Sequence, residues 1–352
     1  MQEKSAVGLG FVGLGWPGEQ HAKAALALPD AKVAAACDLD AARLEKFAAE
    51  FSPAKLYQSY DAMLADPSVQ AVVISLPNFL HYGATLAALH AGKHVLCEKP
   101  PTMNVPEMEQ IRDEAAARGL TYFFGRQSRF SPKMLSARRL VADGTLGRVY
   151  FARAERIRSR GIPAWGGGWF LEKERSGGGA MIDIGVHALD AAWYLLGCPR
   201  PLTVSAQVSS RFENLVPPGI KYDVEDTGFA FIRFEGNVVL HLEVTWAANV
   251  TDAVPRSHWA GHELENTTLY GSAGTLRLEP ATLFTMHGNE RMDTPLDSGQ
   301  KDNPFEVQLA DFLRAIETDT LPVNNAQQAV RLMQMLTAIY ESSAQNAEVQ
   351  LS

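Results

Sequence analysis

Apolar residues come in short runs through the first third of the chain, separated by longer stretches with apolar positions three or four apart. Residues 7–12, 32–37, 69–76, 94–97 and 121–124 read as strands. Residues 19–28, 41–51, 82–91 and 105–118 read as helices, with Gly92 closing the third as a C-cap. Such alternation predicts a parallel sheet. Residues 69–76 form an apolar run. Its length and β-branched content favour a buried strand, ended by Pro77-Asn78.

The texture changes after Gly125. Residues 133–141 predict a basic helix ending at Gly144, and 149–157 a strand. A loop rich in Gly and Trp follows, with Gly161, Trp165, Gly166-Gly167-Gly168 and Trp169, then Gly177-Gly178-Gly179 and an apolar helix to Leu196. Residues 203–246 alternate apolar and polar, as half-buried antiparallel strands do. Leu269 and residues 275–278 flank the turn Gly271-Ser272-Ala273-Gly274. Amphipathic helices at 305–316 and 326–343 finish the chain.

At 352 residues the chain exceeds one ordinary core. A net charge of −8 carries no electrostatic footprint for nucleic acid or an acidic membrane. Cys37, Cys97 and Cys198 are scattered without a C-x-x-C pair, so neither a zinc ribbon nor a disulfide framework is expected, and a reducing compartment is. The polar start Met1-Gln2-Glu3-Lys4-Ser5 does not read as a signal peptide, and no run approaches the ~18 apolar residues of a membrane span. The expectation is a cytoplasmic protein.

Chemistry enters at Gly13-Leu14-Gly15-Trp16-Pro17-Gly18, between the first strand and the first helix. Gly13 permits the tight turn, Gly15 lets the backbone approach a pyrophosphate, and Gly18 lets the helix pack close to the sheet. Asp38 ends the second strand, about twenty residues after Gly18, where a carboxylate accepts bonds from ribose hydroxyls and repels a 2′-phosphate. NAD is therefore expected over NADP. The bland reading makes Asp38 a helix cap, a job for which Asp40 is better placed. Asn78 and His81, at the next ligand-side strand end, suit either a cofactor or helix initiation.

Glu98-Lys99-Pro100 leaves the carboxyl end of the strand 94–97, the ligand edge of an open α/β sheet. Most lysines are solvated. One held here could stabilise an alkoxide as hydride leaves, with Glu98 holding its charge or contacting cofactor. Asp183-Ile184-Gly185-Val186-His187 puts an acid and a histidine on one face if the turn is helical. Alone the pair reads more often as a cap and a packed ring. Beside a nicotinamide fingerprint and Lys99 it reads as an acid/base centre. Arg156, Arg158, Arg160, Trp165 and Trp169 suit sugar faces and hydroxyls, or else the tryptophans pack a domain interface. The spacing His258 to His262 suits zinc on a helix, but Gly261 argues against one, and no metal is expected.

The glycine fingerprint, residues 91–100 ending in Glu98-Lys99-Pro100, Arg129-Phe130-Ser131-Pro132, Gly144-Thr145-Leu146-Gly147 and Asp183-x-Gly185-x-His187 together resemble the glucose–fructose oxidoreductase / inositol dehydrogenase / rhizopine catabolism (Gfo/Idh/MocA) family. The resemblance runs over nearly the whole chain. It implies an α/β N-terminal Rossmann domain with a parallel sheet, residues 1–125, binding NAD. It also implies a C-terminal α+β domain with a large, mainly antiparallel open sheet, residues 126–352, for substrate and oligomerisation. Cofactor contacts would come from Gly13, Gly15, Trp16, Pro17, Gly18, Asp38, Asn78, His81, Glu98 and Lys99. Lys99 would be the catalytic lysine, His187 the acid/base and Asp183 its partner, with Arg158, Trp165 and Trp169 adding to the substrate site. The activity implied is hydride transfer between NAD and a hydroxyl-bearing carbon of a sugar or cyclitol, in a homodimer or homotetramer. The alternative is a relative that retains NAD and cleaves glycosides through transient oxidation and elimination.

Overall fold

The apolar runs of the first third form one six-stranded parallel sheet in the computed structural model, which describes residues 6–164, 166–250, 254–255, 262–296 and 302–351. Its strands are β1 (Val7–Val12), β2 (Ala31–Cys37), β3 (Lys55–Tyr57), β4 (Ala71–Ile74), β5 (His94–Cys97) and β6 (Tyr122–Phe124). They lie in the order β3-β2-β1-β4-β5-β6, so the winding reverses between β1 and β4. β4 is buried throughout and β5 nearly so, as a sheet covered on both faces requires. The covering helices are α1 (Trp16–Ala27), α2 (Ala41–Phe51), α3 (Tyr60–Leu64), α4 (Asn78–His90) and α5 (Val105–Ala117). Asp40, Ser59 and Asn104 cap α2, α3 and α5 with their side chains. Gly92 follows α4 at φ +73°, the conformation a glycine C-cap supplies. The short pieces β3 and α3 have too few residues to carry a period and are not anticipated by the pattern.

The chain divides into two compact units, Met1–Phe130 with Lys301–Val330, and Ser131–Gln300 with Arg331–Ser352. The stretch 301–330, read from sequence as part of the C-terminal domain, thus packs with the first unit. The cause is visible in the helix Pro304–Thr318: Phe305, Leu309, Phe312 and Leu313 join Leu9, Phe11, Leu96 and Phe123 in one buried cluster. Fully buried Arg129 also donates to the Asn324 and Gln328 side chains. A chain-order reading cannot see a helix that returns to an earlier core.

The second unit begins with α6 (Pro132–Ala142) and β7 (Val149–Arg158). After α7 (Lys173–Ser176) the residues Met181–Gly185 make a single π-helical turn, continued by α8 (Val186–Leu195). The sheet continues through β8 (Pro201–Ser209), β9 (Thr227–Phe234), β10 (Val238–Thr245), β11 (Val254–Pro255), β12 (His262–Gly271), β13 (Gly274–Leu278), β14 (Ala281–His287), β15 (Glu290–Pro295) and β16 (Val349–Gln350). The order is β15-β14-β13-β12-β7-β10-β9-β8-β16, with β11 beside β12. Pairing is antiparallel except between β7 and β10, which run parallel. In β9 buried and exposed residues alternate strictly, one face inward and one outward. Among the described residues no helix is long and apolar enough to cross a membrane, and no disulfide joins the cysteines.

Candidate functional site

The three fingerprint glycines do three different jobs at the β1–α1 turn. Gly13 sits at φ +80°, and a Cβ there would stand 2.5 Å from the Ser75 carbonyl oxygen. At Gly18 a Cβ would stand 2.4 Å from the Gly13 carbonyl oxygen. These two close the turn and seat the helix against it. A Cβ on Gly15 would meet only Pro17 Cδ, at 3.9 Å, so this glycine keeps a space open. Gly15 is also the N-cap of α1, which has no side-chain cap and carries Pro17 in its first turn. The first-turn N–H groups and positive dipole end thus face a cradle with room for phosphate. The residues fit the pyrophosphate of a dinucleotide. The exposed indole of Trp16 stands edge-on to Phe305.

Asp38 braces this loop. Its Oδ2 accepts the N–H of Leu14 at 2.9 Å and its Oδ1 the N–H of Asp40 at 3.0 Å. Asp40, not Asp38, caps α2, through Ala42 and Arg43. Each Asp38 oxygen keeps a second lone pair for a ribose hydroxyl. The Arg43 guanidinium lies 4.0 Å from Asp38 Oδ2.

His81 does not offer a cofactor contact. The ring is fully buried, with Nδ1 2.7 Å from the Pro100 carbonyl oxygen and Nε2 2.7 Å from that of Leu76. Burial lowers its pKa, and the neutral ring donates its one N–H to either carbonyl, between the loop after β5 and the loop after β4. Asn78 opens α4 as a buried residue. Glu98 is buried too. Its Oε1 lies 2.8 Å from His21 Nε2, and its Oε2 accepts the N–H of Lys99 at 3.2 Å. Burial pushes the Glu98 carboxyl up, but the His21 bond and the charge and N–H of Lys99 outweigh it and hold it below the ordinary range. Lys99 itself is half-buried.

In the second unit the head of the π turn is held by one residue. Glu225 accepts the N–H of Gly179 and of Met181, each at 2.9 Å, on its carboxylate, and that of Ala180 at 3.0 Å on its backbone carbonyl. A Cβ on Gly179 would stand 1.8 Å from that carbonyl, and one on Gly178 2.1 Å from the Tyr340 hydroxyl. Gly178 and Gly179 therefore let Tyr340 and Glu225 in, while Gly177 ends α7 at φ +84°. Asp183 lies within the π turn and His187 in the first turn of α8. Asp183 Oδ2 accepts the indole N–H of Trp246 at 3.1 Å and lies 3.6 Å from the Arg158 guanidinium.

Arg158, expected to touch substrate, is buried and faces protein carboxylates instead. Its Nε lies 3.5 Å from Glu263, which also pairs with Arg156 at 2.6 Å. β7 and β12 set this up by aligning Arg158 with Glu263 and Arg156 with Glu265. Burial lowers the Arg158 pKa against the pull of Asp183 and Glu263. Trp169 stacks on Phe170 with ring centroids 3.8 Å apart. Arg160 is exposed and bonds Asn249. Trp165 and His258 lie outside the described residues. Among those described, no cluster of three metal-ligating side chains occurs.

Sequence reading passed over His21, Trp246, Glu225 and Tyr340. His21 carried one local signal, a polar residue on the buried Ala22-Ala24-Ala25 side of α1. The other three act across dozens of residues and carried none.

Comparison with known proteins agrees with this layout. Residues 7–126 match the oxidoreductase family with an NAD-binding Rossmann fold, and residues 134–277 match the GFO/IDH/MocA C-terminal domain. The chain is 30% identical over 329 residues to D-glucoside 3-dehydrogenase of Escherichia coli (strain K12), covering 92% of this chain and 91% of that protein. It is 26% identical over 345 residues to 1,5-anhydro-D-fructose reductase of Ensifer adhaerens, covering 97% and 98%. The fold superposes on levoglucosan dehydrogenase in complex with NADH and L-sorbose at a TM-score of 0.87, with 21% identity and 99% of both chains covered. A Rossmann unit with a built pyrophosphate cradle and an open-sheet unit, each matching its counterpart in one family, make this chain a member of the Gfo/Idh/MocA family of NAD-binding oxidoreductases.

Proposed function

We propose that the protein is an NAD-dependent dehydrogenase acting on a CH–OH carbon of a sugar, a D-glucoside being the first candidate. The observation that carries this is the Glu98–Lys99 pair at the carboxyl end of β5, in the same unit as the glycine cradle. The names of the relatives in Escherichia coli and Ensifer adhaerens support a carbohydrate substrate. Cyclitols belong to the same chemical class. NAD, when bound, supplies the hydride acceptor. Lys99 donates to the oxygen of the reacting hydroxyl and stabilises its developing negative charge. His187 takes the hydroxyl proton on a ring nitrogen. Asp183 stabilises the imidazolium that results or binds a second hydroxyl.

The outward face of β9 carries Phe229 and Phe231, 44% and 36% exposed. Apolar rings on an open sheet suit burial against a second copy, and a homodimer or homotetramer is the proposed assembly.

The test is absorbance at 340 nm with purified protein, NAD, and a panel of sugars, cyclitols and aryl glucosides, with aglycone release read in parallel. A rise at 340 nm with one panel member is expected. Aglycone release on a flat trace would move the assignment to a redox-neutral glycosidase. Lys99→Ala or His187→Ala should lower turnover about 100-fold or more while NAD binding persists.

A further inference from the structure

We infer that His21 is a positioning residue for Lys99, acting through Glu98. The inference rests on the reading of Lys99 as the lysine of the reaction. His21 projects from α1, the helix that opens on the glycine cradle, three residues after Gly18. Its ring is fully buried and stands edge-on to Phe305, centroids 5.1 Å apart. Its Nε2 lies 2.8 Å from Glu98 Oε1, across 77 residues of sequence. The other carboxylate oxygen accepts the N–H of Lys99. One carboxylate thus ties the dinucleotide helix to the backbone of the reactive lysine.

Two further observations say that this link is built. A Cβ on Gly125 would stand 3.1 Å from the Cα, Cδ and Oε1 of Glu98, so glycine there leaves room for the side chain in this pose. Nδ1 of His21 has no hydrogen-bond partner among the described residues. The ring is therefore held by its Nε2 bond and its packing alone, and an Nδ1–H would be buried without an acceptor. The charged or titratable groups that face Glu98 are His21 from α1, Lys99 and the buried Cys97 on either side of it, and, at longer range, His81 from α4. Losing the His21 donor leaves a buried carboxylate with one support fewer. The carboxylate is then free to turn away from Lys99, whose ammonium loses part of a neighbouring negative charge.

His21→Phe keeps the ring against Phe305 and removes the donor. His21→Gln restores an N–H near the Nε2 position. The first readout is the pH at which acetic anhydride acetylates Lys99, followed by peptide mass spectrometry, which needs no substrate. His21→Phe should move the midpoint to lower pH and His21→Gln should return it toward wild type. The second readout is turnover of the best panel sugar. His21→Phe should lower kcat about 10- to 100-fold, with the NAD dissociation constant changed less than about 3-fold. The double variant His21→Phe/Glu98→Gln should be no worse than the worse single variant. An unchanged Lys99 midpoint with wild-type kcat in His21→Phe overturns the inference, as do fully additive losses in the double variant. If His21→Phe does not fold, His21→Gln and Glu98→Gln decide: equal impairment of the two overturns the link, and an active His21→Gln beside an impaired Glu98→Gln supports it. Full turnover in Lys99→Ala would instead overturn the reading on which the inference rests.

Discussion

Trp246 donates its indole N–H to Asp183 Oδ2, the same oxygen that faces the Arg158 guanidinium. Two donating groups on one oxygen fix where the carboxylate sits. Trp246→Phe removes the N–H and keeps most of the packing. Its kcat should fall about 3- to 10-fold, the loss expected for one hydrogen bond to a charged acceptor. A wild-type kcat in this variant would make the bond a packing accident. Arg158→Met should cost more, because it also strips a partner from buried Glu263.

The π turn that carries Asp183 depends on Tyr340, whose hydroxyl donates to Glu225 Oε1 at 2.8 Å. That oxygen also accepts the N–H of Met181. Burial raises the Glu225 pKa against these donors, so every donor removed makes its charge harder to hold. Tyr340→Phe should destabilise the protein by about 1–3 kcal/mol, read by urea unfolding. Gly178→Ala should cost at least as much, because its Cβ lands on the same hydroxyl.

Gly15 and Gly18 separate cofactor binding from folding. Gly18→Ala forces a Cβ to 2.4 Å from a backbone oxygen, which cannot yield without moving the turn, and should lower the melting temperature. Gly15→Ala meets nothing closer than 3.9 Å, and the backbone there has φ −74°, which alanine adopts freely. It should keep the wild-type melting temperature and lose NAD affinity by about tenfold or more, measured by tryptophan fluorescence titration. The reverse pattern would exclude Gly15 from the phosphate cradle.

How much of this was legible in sequence depends on range. Local features were: the strand–Gly13–helix turn, Asp40 as the cap of α2, and Gly92 as a C-cap are set within a few residues. The parallel strands announced themselves because a sheet covered on both faces demands unbroken apolar runs such as Ala71–Ile74. Features made by distant chain were not legible. The helix Pro304–Thr318 reads as a generic amphipathic helix, and nothing in it says that Phe305 and Phe312 belong with Phe11 and Phe123. Arg158 reads as a substrate ligand until Glu263 arrives beside it, 105 residues later, across β7 and β12. His81 sits at a ligand edge by chain position, yet the backbone carbonyls of Leu76 and Pro100 claim its ring.

Acid should loosen the first unit through Asp66. Its carboxylate accepts the N–H and hydroxyl of Ser68, the Tyr57 hydroxyl at 2.9 Å, and pairs with Lys55 at 2.9 Å. The Ser68 N–H and then Lys55 hold its pKa well below the usual carboxylate range, against the opposing effect of burial. Between the folded and unfolded pKa values the unfolded chain binds more protons, so stability rises with pH through that window. The contribution is complete above the unfolded pKa of about 4 and is lost as pH falls toward the folded value. Asp66→Asn keeps the shape, removes the charge, and should be less stable than wild type at pH 7. Its stability should also fall less steeply than wild type between about pH 4.5 and pH 3. Urea unfolding at several pH values reads both effects. Parallel pH dependences in the two proteins would show that Asp66 does not link protons to folding.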